Sequence, residues 1–296
     1  MRKRAVRWSI LAIALLLVPV AGVFLFYNPS SSFPPVPQPN GYEMLSRAAS
    51  KLVGPPDIVR ALSTEKLVEA MDGNRAALEE VRRALQLPGV VSVQMSESWF
   101  TVHTPELMNL KKAAQVLDCE AELRSRRGDT NGAWLTALDG LRLAESAQRG
   151  GVLIDFLVAS ACEAIAVHRM TNLVSGLGLE DCKQAAKALT EHDARRDSLE
   201  SILKREKEWS SRAYSLLMRI RAAISPKTGL TPDLAENVAK TYNSRTHELR
   251  FVLLRIAARA YELERGIAPA QAADLVPAYL QRVPLDPATG KPLDLK

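Results

Sequence analysis

The chain has 296 residues, 47% hydrophobic and 24% charged, which is the composition of a folded globular protein and excludes a disordered or fibrous one. Aromatic residues are only 5% while Ala, Leu, Glu and Arg abound, so helices are expected over sheets. The net charge of +6 is partly local: with Arg2, Lys3, Arg4 and Arg7 set aside two excess positive charges remain, too few for a nucleic-acid-binding patch.

Residues 1–7 form a basic flank before WSILAIALLLVPVAGVFLFY, an uncharged run of 20 residues over 8–27. At helical rise that length spans a hydrocarbon core of about 30 Å, and Trp8 and Tyr27 stand where interfacial aromatics stand. The run exceeds a signal-peptide core, and its one weak small-x-small site is Val20-Ala21-Gly22, so an uncleaved transmembrane anchor is expected. The positive-inside rule puts the N-terminus in the cytoplasm and the bulk outside, as a single-pass protein of a bacterial inner membrane with its domain in the periplasm. Residues 28–39, NPSSSFPPVPQP, read as an extended proline spacer.

Residues 40–266 carry recurrent helix signals. A short helix is expected over Tyr42–Val53, and a second runs from a Ser63 or Thr64 cap to Leu85, stopped by Leu87-Pro88-Gly89. Val91, Val93 and Met95 alternate with polar residues, as in a strand or extended loop. Thr104-Pro105 reads as a helix start, followed by the stripe Leu107, Leu110, Ala114, Leu117 and Ala121, with Gly128 closing. The next helix runs from Thr130 to Gln148 and buries Ala133, Ala137, Leu141 and Ala144. Residues 152–167 are apolar nearly all round and are expected as the central buried helix. A helical stretch from Glu180 to Ile224 breaks near His192. Thr231-Pro232 starts a long last helix ending at Gly266, and the tail 267–296 is proline-rich with a turn over Pro287–Gly290. The fold class is therefore mainly all-α.

Chemistry is sparse. Cys119, Cys162 and Cys182 read as buried thiols, with a Cys119–Cys162 bridge as the alternative. His103, His168, His192 and His247 lack metal-ligand spacing. Glu191-His192-Asp193 reads as a solvated helix end, and Arg250, Arg255 and Arg259 as a mixed solvated face. Asp155 and Glu163 are the carboxylates expected to be buried, each needing a partner such as Arg142 or Arg149. The functional alternative for them is acid–base work. No residue set implies catalysis, a cofactor or a metal, so an enzyme is not the expectation.

The segment RRGDTNGAWLTALDGLRLA resembles the middle of a tetratricopeptide repeat, which implies stacked helical hairpins. The end of the chain, with YELERGIAP, DLVPAYL and VPLDPATGKPL, resembles the closing module of type II secretion pseudopilins. As a whole the chain resembles uncharacterised bacterial membrane-anchored proteins with such a helical middle and tail. Pseudopilins carry a Gly before the processing site and a Glu five residues later; Arg7-Trp8-Ser9 stands there instead. The resulting expectation is a membrane-anchored scaffold or protein-interaction module. The alternatives are an accessory component of a secretion or envelope assembly, or an enzyme with an unrecognised site. The hairpins from Pro105 to Val174 should form a curved layer with one free face, reachable from Arg126 and Gln148. The tail is expected as a clasp whose Leu275, Tyr279, Leu280, Val283 and Leu285 pack on the helices.

Overall fold

A computed structural model describes residues 31–55, 59–214 and 231–295. The expected membrane span over 8–27 lies outside them, and among the described residues no helix is long and apolar enough to cross a membrane. Those residues are mainly helical and contain no strand, only a single antiparallel bridge between Leu285 and Pro292.

The helices begin where short polar side chains can accept the first free backbone N–H groups. Asn40 caps α1 (Gly41–Ser50) by accepting from Tyr42 N, and Ser63 caps α2 (Thr64–Leu85). Asp129 accepts from Gly132 N at the head of α4 (Thr130–Gln148), and Ser198 caps α7 (Leu199–Ala213). Thr231 caps α8 (Pro232–Arg265), whose first residue is the proline that needs no N–H there. Gly266 ends α8 in the left-handed conformation at φ +72°, open to a residue without a Cβ.

The helix between α2 and α4 differs from expectation. α3 spans Trp99–Arg126, so Thr104-Pro105 lies inside it and does not start it. Burial of Trp99 and His103 draws the chain into a helix one turn earlier. The proline is tolerated because it and Thr101, whose carbonyl loses its donor, both face solvent. Val90–Gln94 has no regular structure, so the alternating valines are an extended loop. Here Val91 N donates to Arg149 O at 2.9 Å.

α5 (Leu153–Leu173) is the expected central helix, and α6 (Leu179–Arg195) follows. The break between α6 and α7 falls at 196–198, beyond His192. Along α1–α5 each helix touches both the next and the next but one, as stacked hairpins do. α8 lies along α6 and α5, and α7 packs on α5.

Two large apolar clusters result. One joins α1, α2, the first half of α3 and the early part of α5 around Trp99 and Trp209. The other joins α4, the late part of α5, α6, α8 and the tail. In the tail Leu275, Leu280 and Leu293 are buried and Tyr279 and Val283 partly so, whereas Leu285 is exposed; its carbonyl, not its side chain, is held, by Arg250. The Pro287–Gly290 turn is closed by Asp286, which accepts from the N–H groups of Ala288 and Thr289, each at 2.8 Å.

From Phe33 on, the spacer has no regular secondary structure and lies against the domain. Phe33 packs on the first cluster. Pro34 lies against Gly150 so closely that a Cβ there would meet its ring at 2.8 Å, at a φ of +73°. The three cysteines are buried free thiols.

Candidate functional site

The polar chemistry of the interior centres on α5, which enters the core carrying Asp155, Glu163 and Arg169, all buried. A bare charge there would cost several kcal/mol, so each needs a partner.

Asp155 is fully buried in the first turn of α5. Its Oδ2 accepts from Val152 N at 2.8 Å, which also places its charge at the positive end of the helix. Its Oδ1 meets His103 Nε2 at 2.6 Å, and His103 Nδ1 meets Glu106 Oε2 at 3.0 Å. With a carboxylate on each nitrogen, both nitrogens carry protons and the ring is an imidazolium. Burial works against that cation, but the hydrogen bonds to Asp155 and Glu106, and then their charges, outweigh it. The pKa rises from 6.5 to about 9. Burial pushes the Asp155 carboxyl up, and the His103 bond opposes it. The Trp99 ring stacks on the imidazolium at 4.2 Å, and Trp209 reaches the same pile, its Nε1 donating to Gln94 O at 2.9 Å. Glu206 of α7 completes the end of α5 by accepting from Leu153 N at 3.0 Å.

Above this pair lies an open cleft of about 510 Å³ between α1, the Val90–Gln94 loop and α3, lined among others by Tyr42, Arg47, Ser92, Val102, His103 and Glu106. The Tyr42 hydroxyl is buried without a hydrogen-bond partner; burial first, then the charges of Asp155 and Glu106, push its pKa up. The cleft is mixed: exposed Arg47 and Glu43 stand beside Val102, which is 66% exposed.

Glu163 and Arg169 have other partners. Arg196 NH2 donates to Glu163 Oε2 at 3.2 Å; burial pushes the Glu163 carboxyl up against the charges of Arg196, His192 and Arg245. Arg169 reaches back to α3, donating to Asp118 at 2.6 Å and to Glu122. The expected Arg142 and Arg149 are taken locally, by Asp139 at 3.0 Å and by Glu145. His192 is no solvated helix end. It is buried, and its Nδ1 lies 3.3 Å from Glu145 Oε2, because α6 turns that residue inward against α4. Arg250 also leaves the solvated face, bonding Asp193 of α6 at 2.8 Å and Leu285 O of the tail. Gln148 is buried as well and offers no surface position. His168 stays exposed near the end of α5, where Asn172 Nδ2 lies 3.3 Å from its Nε2.

The sequence singled out Asp155 and Glu163 correctly but missed His103 as the partner, 52 positions away. A signal was present: His103 lies in phase with Leu107, Leu110, Ala114 and Leu117 on the buried stripe of α3. Starting the helix at Thr104 hid it. Among the described residues no set of His, Cys, Asp and Glu has the geometry to hold a metal ion. The chain matches no known protein family, no curated protein and no solved structure.

Proposed function

We propose that the protein is a membrane-anchored extracytoplasmic scaffold that seats a segment of a partner protein in the cleft between α1 and α3. The observation that carries this reading is the cleft itself: about 510 Å³ and open to solvent, with a floor of ion-paired and stacked rings and an exposed apolar rim at Val102. Such a floor fixes shape without offering reactivity. His103 gives both nitrogens to carboxylates and keeps no lone pair for a substrate proton, which favours a binding role over acid–base catalysis. The resemblances to tetratricopeptide hairpins and to uncharacterised membrane-anchored proteins point the same way, since stacked hairpins present grooves to peptides.

The test is site-directed photocrosslinking in native membranes with the full chain. A probe at Val102 should give one discrete adduct, and the same probe at Leu135, exposed on α4, should not. Adducts from both positions or from neither overturn the reading. Turnover of a small molecule that Val102→Trp abolishes would put an enzyme in its place. An accessory role in a secretion or envelope assembly is the second reading, favoured by the pseudopilin-like tail with its Asp286-closed turn. Under it the Val102 adduct is a component of that assembly.

A further inference from the structure

A second polar centre lies between α4, α5 and the α6–α7 link. A cavity of about 10 Å³ is lined there by Gln148, Glu163, His192, Arg195 and Arg196, among others. Three of the residues that line it each carry an atom out of reach of solvent and without a hydrogen-bond partner: Gln148 Nε2, Glu163 Oε1 and Arg196 NH1. They come from α4, α5 and the link between α6 and α7. Buried polar atoms are nearly always paired, and an orphan on a charged group costs more than one on a neutral group.

We infer that this cavity is a binding site for one water molecule that joins the three elements. Its volume is that of a single water and no larger ligand. The demand of these atoms is two donors without an acceptor, on Gln148 and Arg196, and one acceptor without a donor, on Glu163. Water accepts from the first two and donates to the third. A halide would satisfy the donors but press against the Glu163 carboxylate oxygen. A metal cation would satisfy that oxygen but face Arg196 and the Gln148 amide hydrogens. Water alone meets all three demands. The bridge makes Gln148 part of the Glu163–Arg196 pair, which the direct 3.2 Å contact on Oε2 does not reach.

A crystal structure of the full chain in detergent, at a resolution that shows ordered solvent, tests this, with a bromide-soaked crystal beside it. The expected result is one solvent oxygen within hydrogen-bonding distance of all three atoms, with no anomalous peak in bromide. In Gln148→Leu, whose side chain fills the space, the oxygen is expelled while Arg196 stays on Glu163. An empty cavity in the unaltered chain, direct contact between Gln148 and Glu163, or a bromide peak each overturns the inference. Should the leucine variant fail to fold, the unaltered chain decides alone.

Discussion

The first turns of α5 and the aliphatic face of its second half are held in opposite ways. Its first half sits among Tyr42, Trp99, His103 and Trp209 and is fastened by a charge, Asp155 on His103. Its second half, through Ala166, Val167, Met170 and Leu173, sits among aliphatic side chains of α4, α6, α8 and the tail. Aliphatic contacts are non-directional and depend on area and fit, so they tie no single atom to one named partner. The carboxylate has no such freedom: a slip of α3 by one residue removes its only side-chain donor and leaves a charge in the core. The buried ion pairs, Asp155 on His103 and Arg169 on Asp118 and Glu122, thus set position, and the aliphatic face of the second half supplies burial.

The largest effect belongs to His103→Ala, which leaves Asp155 buried without its cation. Unfolding in urea at neutral pH should show a loss of about 3–5 kcal/mol. A loss below about 1 kcal/mol would mean that the first half is held by its rings and not by its charge.

The next effect is on pH. His103 is a group whose folded pKa, about 9, lies above its ordinary 6.5. Its contribution is therefore complete below pH 6.5 and is lost as pH rises to 9, up to about 3 kcal/mol across that window. Urea midpoints measured across that window should fall in the unaltered chain and stay nearly flat in His103→Ala. Parallel curves would remove His103 as the titrating group.

Leu275→Ala probes the other half. It removes a fully buried side chain where the tail meets the second cluster, and should cost about 2–3 kcal/mol, near the low end for such a change because the tail can settle. That cost should be the same at pH 6.5 and pH 9. A pH-dependent cost would show that the two halves are not independent. The smallest effect belongs to Arg250→Ala, which unties α8 from Asp193 and from the tail carbonyl. Its bonds are partly solvated, so urea unfolding should show at most about 1 kcal/mol.

What could be read from the sequence follows the same division. The aliphatic half was legible, because Ala133, Ala137 and Leu141 repeat at helical spacing and Gly266 marks its own turn. The charged half was legible only on one side. A carboxylate inside the apolar run 152–167 announces that Asp155 is buried, but nothing local names its partner, since that contact spans 52 positions. Arg142 and Arg149 were reasonable candidates by charge, and were lost to acids three or four residues away on their own helix, which no long-range partner can outcompete for proximity. His192 and Gln148 were misplaced for a related reason. A polar residue at a helix end reads as solvated, whereas the α4–α6 contact turns these two inward.

Asn40 gives the fold a mechanical property. Its side chain accepts from Tyr42 N and Val90 N, both at 3.1 Å, and donates to Val90 O at 2.9 Å, while the next residue's N–H reaches Pro88 O at 2.9 Å. A pull from the N-terminal side meets the contacts of Phe33 and Pro34 first and then this knot, before it reaches α1. The bonds join two stretches of chain 50 positions apart, so tension on the segment before α1 is shared with the segment that follows α2. A protein held by its N-terminal end would therefore pass force to the start of α1 and to the segment after α2 at once.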